Sequence, residues 1–332
     1  MDWDASSGKR DWRVENLSRG LFVRRMDEDP WKDMYYSELE IINRDKVGAP
    51  YRVPDSVIRT AMLRFGCSGK GYREIAAEIS LRLGKLGLPG ISYSQLKKRS
   101  DKLSIHLGIT DVTDARVIAF GSGGVTPDPS STITIAIDST GMSPDHAAGW
   151  MTYHWNMKEI RSWMKLHVAV NTNTNEILAY VITSEHYGDN LAFDRLMDIV
   201  LGDGHRVAAV YADAAYDAKD NWNRMKGLGI SFVANIRGCL NKFKRSANSG
   251  RRRGCMERAK HVRYILDHGK EEWKEWSGYG KRWKVESTFS DVKRMFGDTI
   301  RARGPDAVAN ILYWIIRAFN LYKKCRLEIG GQ

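Results

Sequence analysis

The sequence predicts an α/β protein in which a mixed sheet with flanking helices follows an all-α domain. Three observations support this fold class. Apolar residues between positions 54 and 108 recur at the three- and four-residue spacing of helices. At position 132 the apolar period changes to two, which is typical of strands. Beyond position 185, apolar strands and amphipathic helices alternate, which favours parallel strands joined by crossover helices.

The all-α domain is predicted over residues 51–118. Its helical stretches are, in order, VPDSVIRTAMLRFG, GYREIAAEISLRLG and ISYSQLKKRSDKLSIHLG. Pro54 and Asp55 are typical of a helix start, and Ser92 with Gln95 matches the pattern of a capping box. Residues 1–50 are polar and predict no defined structure. Residues 119–131 include GSGGVTPDPSS and are predicted to be a linker.

The third helix of the all-α domain is basic in its first turns, where it carries Lys97, Lys98 and Arg99. Three helices with a basic last helix indicate a helix-turn-helix-like DNA-binding domain. The connection before the third helix is longer than the tight turn of that motif, so a plain helical bundle is the alternative.

The α/β domain is predicted over residues 132–327. Its strand segments are, in order, TITIAID, MKLHVAVN, EILAYVITSE, VAAVYAD and SFVANI. The helices NLAFDRLMDIVLG and YDAKDNWNRMKGLG flank the fourth strand, and a further helix follows at 282–296. Three antiparallel strands followed by parallel strands with crossover helices form the order of a ribonuclease-H-like sheet.

A basic segment at about 237–278 interrupts this domain. Between residues 237 and 270 it holds eleven Lys or Arg against Glu257 and Asp267. It includes the run Arg251, Arg252 and Arg253. An insertion that contacts phosphates is one interpretation, and a disordered basic loop is the other.

The overall charge supports a polyanionic partner. The chain has a formal net charge of +12, which favours nucleic acid or an acidic surface. The longest apolar run, ILYWII, ends at Arg317, so no membrane span is predicted. The four cysteines and eight histidines show no spacing typical of zinc ligands.

Two carboxylates end apolar strands, Asp138 after TITIAI and Asp213 after VAAVYA. A charged Asp at the end of a buried strand is costly unless it is solvated, paired or bound to a metal. The predicted sheet order places these two strands side by side. A capping or strand-ending role is the alternative for either residue alone.

The helix at 282–296 carries a third carboxylate, Glu286, on one face with Arg282 and Lys293, and Tyr279 precedes it. One interpretation is a solvated face with ion pairs four residues apart. The other is that Glu286 joins Asp138 and Asp213. Three carboxylates would hold Mg²⁺ or Mn²⁺ as two ions about 3.5–4 Å apart, while Arg282 and Lys293 bind phosphates. Competing carboxylates are Asp145, Asp217, Asp220 and Asp291.

These positions resemble a known family. Tyr279, Arg282, Glu286 and Lys293 match the Tyr-(2)-Arg-(3)-Glu-(6)-Lys signature of DDE transposases of the insertion-sequence-four and insertion-sequence-five group. AIDSTG around Asp138 and ADAAYD around Asp213 resemble the two aspartate motifs of that family. WMKLH resembles its Lys-x-His strand, whereas HYGDN, with His186 and Asp189, is only loosely like its downstream element. The resemblance covers residues from about 132 to 320.

The resemblance implies a metal-dependent transposase that cuts at the terminal inverted repeats of an element and joins the freed 3′-hydroxyl to target DNA. It implies a cytoplasmic, nucleoid-associated prokaryotic protein that pairs two DNA ends as a homodimer. The predicted catalytic and metal-binding residues are Asp138, Asp213 and Glu286. The predicted DNA contacts are Tyr279, Arg282, Lys293, Arg294, Lys97, Lys98, Arg99, Lys165, Arg251, Arg252 and Arg253. A ribonuclease-H-like nuclease or resolvase and a catalytically silent DNA-binding protein are the alternatives.

Overall fold

The computed structural model describes residues 11–28, 31–105, 116–145, 163–237, 255–302 and 305–330. The chain divides into two compact units. The first, here called the helical unit, comprises residues up to Leu103 together with those from Trp314 onward. The second, the α/β unit, comprises Ser104–Tyr313.

The helical unit begins with two helices within residues 1–50, where the sequence pattern predicts no structure. The helices before Leu103 are α1 (Trp12–Asp27), α2 (Tyr35–Asn43), α3 (Asp55–Ser68), α4 (Tyr72–Lys85) and α5 (Tyr93–Ile105). Asp11 starts α1 by accepting hydrogen bonds from the backbone N–H of Arg13 at 3.0 Å and of Val14 at 3.3 Å. Ser92 accepts from the backbone N–H of Gln95 at 3.3 Å, which is half of the predicted capping box.

The strands of the α/β unit form one mixed sheet. They are β1 (Val117–Ser122), β2 (Thr132–Asp145), β3 (Met164–Asn171), β4 (Ile177–Ser184), β5 (Arg206–Ala212), β6 (Ser231–Ala234) and β7 (Thr299–Arg301). The sheet order is β1-β4-β3-β2-β5-β6, and β7 pairs with the end of β2. β2, β3 and β4 are antiparallel, whereas β5 and β6 run parallel to β2. This order confirms the predicted ribonuclease-H-like fold.

β1 is an addition to the predicted sheet. It pairs antiparallel with β4 and overlaps the stretch 119–131 that the sequence predicts as a linker. Its apolar run is only four residues long before Gly121, and the Gly- and Pro-rich stretch that follows hides it from pattern analysis.

The helices of the α/β unit flank the sheet. They are α6 (Asp189–Gly202), α7 (Lys219–Gly227), α8 (Met256–His268), α9 (Lys270–Ser277), α10 (Trp283–Phe296) and the start of α11 (Pro305–Gly330). α6 lies against β3 and β4, and its buried Phe193 and Leu196 enter the core. α8 and α9 are regular helices inside the predicted basic insertion.

The last helix, α11, contributes its residues from Trp314 onward to the core of the helical unit. Trp314 Nε1 donates to Ser100 Oγ at 3.1 Å, and Arg25 Nη2 lies 2.6 Å from Glu328 Oε2. The predicted domain boundary places the whole helix, up to residue 327, with the α/β domain. Helical periodicity indicates that a face is buried but not which elements bury it. None of the described helices, α11 included, is long and apolar enough to cross a membrane.

Candidate active site

Two aspartates lie side by side on adjacent parallel strands. Ile137 of β2 and Ala212 of β5 are register partners, and Asp138 and Asp213 are the residues that follow them. Asp213 comes directly after β5, where it starts a 3₁₀ turn, Ala214–Tyr216, and its side chain accepts a hydrogen bond from the backbone N–H of Ala215. Asp138 instead lies in the middle of β2, which continues to Asp145, so the strand does not end there as the sequence predicts. The predicted sheet order nevertheless places the two carboxylates on neighbouring strands.

The third carboxylate comes from α10, which packs on β2 and β3. Val285, Phe289 and Val292 form its buried stripe at three- and four-residue spacing. Arg282, in the 3₁₀ turn Tyr279–Arg282 just before α10, joins two of the carboxylates. Its Nη1 donates to Asp138 Oδ2 at 2.9 Å, and its Nη2 donates to Glu286 Oε1. One guanidinium thus lies between the middle of β2 and the first turn of α10.

The site brings negatively charged carboxylates close together, and this affects the pKa of Asp138. Burial, together with the negative charges of Asp213 and Glu286, raises the pKa of Asp138 to about 6, against the hydrogen bond from Ser139 N–H and the charge of Arg282. The Asp138 side chain is only 17% exposed. The cluster therefore favours a positive charge beyond the one that Arg282 supplies.

Tyr279 packs beside this guanidinium. The centre of the Arg282 guanidinium is 5.6 Å from the ring centroid of Tyr279, and burial raises the pKa of Tyr279 to about 12. Gly278 precedes it with a φ of 66°. A side chain there would be strained, and its Cβ would lie 3.1 Å from the hydroxyl of Tyr211.

The donor set fits a hard divalent cation in chemistry and in charge. Carboxylate oxygens are the ligands that Mg²⁺ and Mn²⁺ prefer. As the side chains stand, however, no group of three His, Cys, Asp or Glu within the described part of the chain is arranged to hold a metal ion. Arg282 is bonded to Asp138 and Glu286. Arg282 must therefore leave at least one carboxylate before all three can ligate together.

The other residues of the α/β unit that are predicted to contact DNA differ in their surroundings. Lys293 is half-buried on α10 and forms no ion pair with the described residues. Arg294 Nη2 donates to Asp291 at 2.8 Å, and Lys165 Nζ donates to Asp189 at 3.0 Å. Lys165 and Arg294 thus each have a carboxylate partner already. The run Arg251, Arg252 and Arg253 lies outside the described residues, as does the side chain of Asp145.

The basic residues of α5 fall into two groups. Lys97 and Lys98 are exposed, and Lys97 also pairs with Asp101 at 2.7 Å. Arg99 is buried, donates to the carbonyl of Val53 and to Asp55, and lies 4.4 Å from the ring centroid of Tyr51. Its guanidinium is therefore used inside the helical unit, and we do not retain Arg99 among the DNA contacts.

The competing carboxylates have other partners or positions. Asp217 is fully buried and pairs with Arg258, and Asp291 is buried and pairs with Arg294. Asp220 is exposed in the first turn of α7. His186 is exposed, and its Nε2 lies 3.4 Å from Glu185. These residues do not join Asp138 and Asp213.

Two buried residues near the site lie within the motifs ADAAYD and WMKLH, although the sequence assigns them no role. Tyr216 is fully buried, and the side chain of Ser139 is the polar group beside its hydroxyl. Burial and the charges of Asp189, Asp138 and Asp213 raise its pKa well above the ordinary value. His167 Nε2 lies 2.9 Å from Thr183 Oγ1, and burial lowers the pKa of His167 to about 4. The signal for Tyr216 was its position three residues after Asp213, in the same turn.

The fold and the acidic cluster define a ribonuclease-H-like protein with carboxylates side by side on its two central strands. Residues 129–321, more than half of the chain, match the family model described as Transposase DDE domain. The chain belongs to this family.

Among solved structures, the chain is similar to one described as the Drosophila P element transposase strand transfer complex. The identity is 14% and the TM-score 0.29, and the match covers 68% of this chain and 50% of that one. The chain thus spans about half the length of this relative. A likeness at this TM-score carries no argument about the present chain.

Proposed function

We propose that the protein is a DNA transposase of an insertion sequence, in the insertion-sequence-four and insertion-sequence-five group. It binds the terminal inverted repeats of its element, cuts the DNA there and joins the cut end to target DNA. The observation that supports this most is the position of Asp138, which lies beside Asp213 on the neighbouring strand and shares the Arg282 guanidinium with Glu286. Membership of the DDE family supports the same reaction class.

The three carboxylates would hold Mg²⁺ or Mn²⁺, as two ions per site. When bound, the metal supplies the positive charge that activates the attacking hydroxyl and stabilises the leaving oxygen. Asp138 is held by Ser139 N–H at 2.8 Å and Asp213 by its own turn, so both are oriented before ligands arrive. Glu286 is released when Arg282 turns towards a DNA phosphate, for which a guanidinium is well suited.

The proposed reaction has two balanced steps. In the first, the oxygen of a water molecule bonds to phosphorus and the P–O3′ bond breaks; one water proton goes to the departing O3′, which becomes a hydroxyl, and the other passes to solvent. In the second, the freed 3′-hydroxyl bonds to a target phosphorus while another P–O3′ bond breaks. One phosphodiester replaces another in the second step, so no external energy source is needed.

The remaining basic residues serve DNA binding in this proposal. Lys97 and Lys98 contact phosphates of the terminal repeat, and Lys293 contacts those beside the cleavage site. The run Arg251, Arg252 and Arg253 contacts phosphates as well. Two copies of the chain, as a homodimer, pair the two ends of the element.

The test is strand cleavage on a duplex that carries the DNA flanking this gene, with Mg²⁺ or Mn²⁺. We expect nicking at the element boundary by the wild type and none by Glu286→Gln, which keeps the size of the side chain but loses its charge. Glu272→Gln is the matched control, because Glu272 is exposed on α9, outside the acidic cluster. Binding to the duplex should be unchanged in both variants.

Three other outcomes would each contradict part of the proposal. Wild-type nicking by Glu286→Gln would show that another carboxylate is the third ligand. Binding without cleavage by the wild type would favour a catalytically silent DNA-binding protein. Cleavage without joining of the 3′ end would favour a nuclease or resolvase.

A further inference from the structure

Asp217 is a buried carboxylate that the proposed reaction does not use. Its side chain is fully buried and accepts hydrogen bonds from three residues. Arg258 donates through Nε to Oδ1 and through Nη2 to Oδ2, both at 2.7 Å. Trp222 Nε1 donates to Oδ1 at 2.9 Å, and the backbone N–H of Arg237 donates to Oδ2 at 2.9 Å.

This carboxylate belongs to the turn that Asp213 begins. Asp213 accepts from Ala215 N–H through its side chain, and its carbonyl accepts from Tyr216 N–H at 3.2 Å. The backbone N–H of Asp217 donates to the carbonyl of Ala214 at 3.3 Å. The side chain of Asp217 thus anchors the far end of a five-residue turn whose near end is a proposed metal ligand.

The same carboxylate also holds the chain on both sides of residues 238–257, the first part of the basic segment. Arg237 follows β6 by three residues, and Arg258 lies in the first turn of α8. The intervening sequence carries six cations and only one acidic residue, Glu257. The cations are Lys242, Lys244, Arg245, Arg251, Arg252 and Arg253. One side chain therefore connects the Asp213 turn to the two ends of the most cationic stretch of the α/β unit.

An ion pair that contains a fully buried carboxylate is a costly way to gain stability alone. Desolvation of two charges offsets much of their attraction, and apolar residues of similar volume often serve as well. What a multiply bonded carboxylate provides is a fixed geometry, because each donor must keep its direction. The arrangement at Asp217 fixes three separate parts of the chain with one group.

We propose that Asp217 is a positioning residue that holds the Asp213 turn and the chain on both sides of residues 238–257 in one arrangement. The positions of Arg237 and Arg258 are thereby coupled to the position of Asp213. This inference rests on the proposed function for the role of Asp213, but the coupling itself can be measured without catalysis.

The test compares Asp217→Asn with Val262→Ala in the full-length protein. Val262 is fully buried on α8, so its truncation lowers stability without removing a donor to Asp217. Trp222→Phe removes one donor and keeps the ring, and it serves if Asp217→Asn does not fold. Amide hydrogen exchange is followed at Ala215 and Arg237, and single-turnover cleavage and duplex binding are measured in parallel.

We expect exchange at both amides to be at least about tenfold faster in Asp217→Asn, with a smaller change in Trp222→Phe and none beyond global destabilisation in Val262→Ala. Cleavage should fall at least about tenfold in Asp217→Asn, as for loss of other groups that orient ligands, while duplex affinity stays within about twofold.

Three results separate this inference from the proposed function. If Ala215 exchanges as in Val262→Ala, the coupling does not exist and the inference is overturned. If exchange rises but cleavage equals that of Val262→Ala, Asp217 does not position a catalytic group and the inference is overturned. If exchange rises while the wild type itself does not cut, the coupling stands and the proposed function fails.

Discussion

At the scale of single residues, Arg282 has two carboxylate partners on different elements. It bonds to Asp138 on β2 and to Glu286 on α10, and its side chain is 15% exposed. Arg224 offers a natural comparison, because it also bonds to two carboxylates, Asp194 and Asp198. Those two are 63% and 70% exposed, so solvent screens the pairs.

Arg282→Gln should lower the free energy of unfolding by about 2 kcal/mol at neutral pH, measured on metal-free protein in the presence of a chelator. The substitution leaves Asp138 beside Asp213 and Glu286 with no counter-charge, although partial exposure reduces the penalty below that of a fully buried pair. Arg224→Gln should cost less than about 1 kcal/mol. Urea unfolding of both variants measures the difference, and equal losses would show that Arg282 does not offset the carboxylate charges.

Asp138 should make the metal-free protein less stable as pH rises. Its folded pKa, about 6, is above its ordinary value, so the folded state binds more protons than the unfolded state between about pH 4 and pH 6. Stability from this group is therefore complete at low pH and is lost as pH rises through about 6. Asp138→Asn removes the titration, and its stability relative to the wild type should rise across this window by up to about 3 kcal/mol.

The difference between the two proteins is the quantity to measure, because burial lowers the pKa of His167 and of His261 to about 4 and gives an opposite trend in the same window. Both histidines are present in both proteins and cancel. Asp220→Asn, an exposed carboxylate on α7, is the control. A pH-independent difference between Asp138→Asn and wild type would contradict the prediction. Mg²⁺ should stabilise the wild type and not Asp138→Asn.

At the scale of elements, a glycine sets the approach of α3 to α11 within the helical unit. A Cβ on Gly66 would lie 3.0 Å from the backbone carbonyl carbon and oxygen of Trp314. Backbone atoms cannot rotate away as a side chain does, so the helices would have to separate. Gly84, in α4, has nothing within 4 Å of its Cβ position.

Gly66→Ala should therefore destabilise the protein by about 1–3 kcal/mol, as overpacking does. Gly84→Ala should leave it unchanged or stabilise it by up to about 1 kcal/mol, because alanine is the better helix former. Thermal or urea unfolding of the two variants decides between these directions. A stabilising Gly66→Ala would show that the two helices are not in close contact there.

Local patterns predicted the elements that carry the acidic site. The alternation in TITIAID and the apolar run VAAVYAD indicated the strands that carry Asp138 and lead to Asp213, although β2 continues past Asp138 to Asp145. Helical spacing placed Arg282 and Glu286 together. The bond from Arg282 to Asp138 spans 144 residues, so only tertiary structure reveals it. Arg99 is similar, because its burial depends on Asp55, 44 residues away. From the sequence alone, a cation on a helix face is predicted to be exposed, and only the tertiary structure shows which groups bury it.

At the scale of the whole molecule, each predicted domain is one continuous segment of the sequence, whereas the helical unit consists of two separate segments. Residues from Trp314 onward join the residues before Leu103 in one core. Pattern analysis reads a chain from end to end, and it cannot assign a C-terminal helix to a core formed by the N-terminal residues. α1 and α2 were also not predicted, because α1 is polar and α2 is only nine residues long.

The net charge of +12 favours DNA binding by the whole molecule, and the two kinds of cation on α5 should contribute in different ways. Lys97→Ala with Lys98→Ala removes exposed charge. Each lost phosphate contact reduces the salt slope of log K by about 0.9, so the slope should fall by about 2 with stability unchanged. Arg99→Ala breaks a buried pair and should cost about 3 kcal/mol of stability, with no change in slope for the folded protein.

Fluorescence anisotropy on the terminal-repeat duplex between about 50 and 200 mM salt, with urea unfolding of the same samples, tests both effects. An unchanged slope in the double lysine variant would exclude α5 as the phosphate-binding helix. A reduced slope in Arg99→Ala, with stability retained, would return Arg99 to the DNA surface and contradict its burial. The salt slope of binding and the free energy of unfolding are measured separately. A helical unit that binds DNA can therefore be distinguished from one whose basic residues only stabilise its fold.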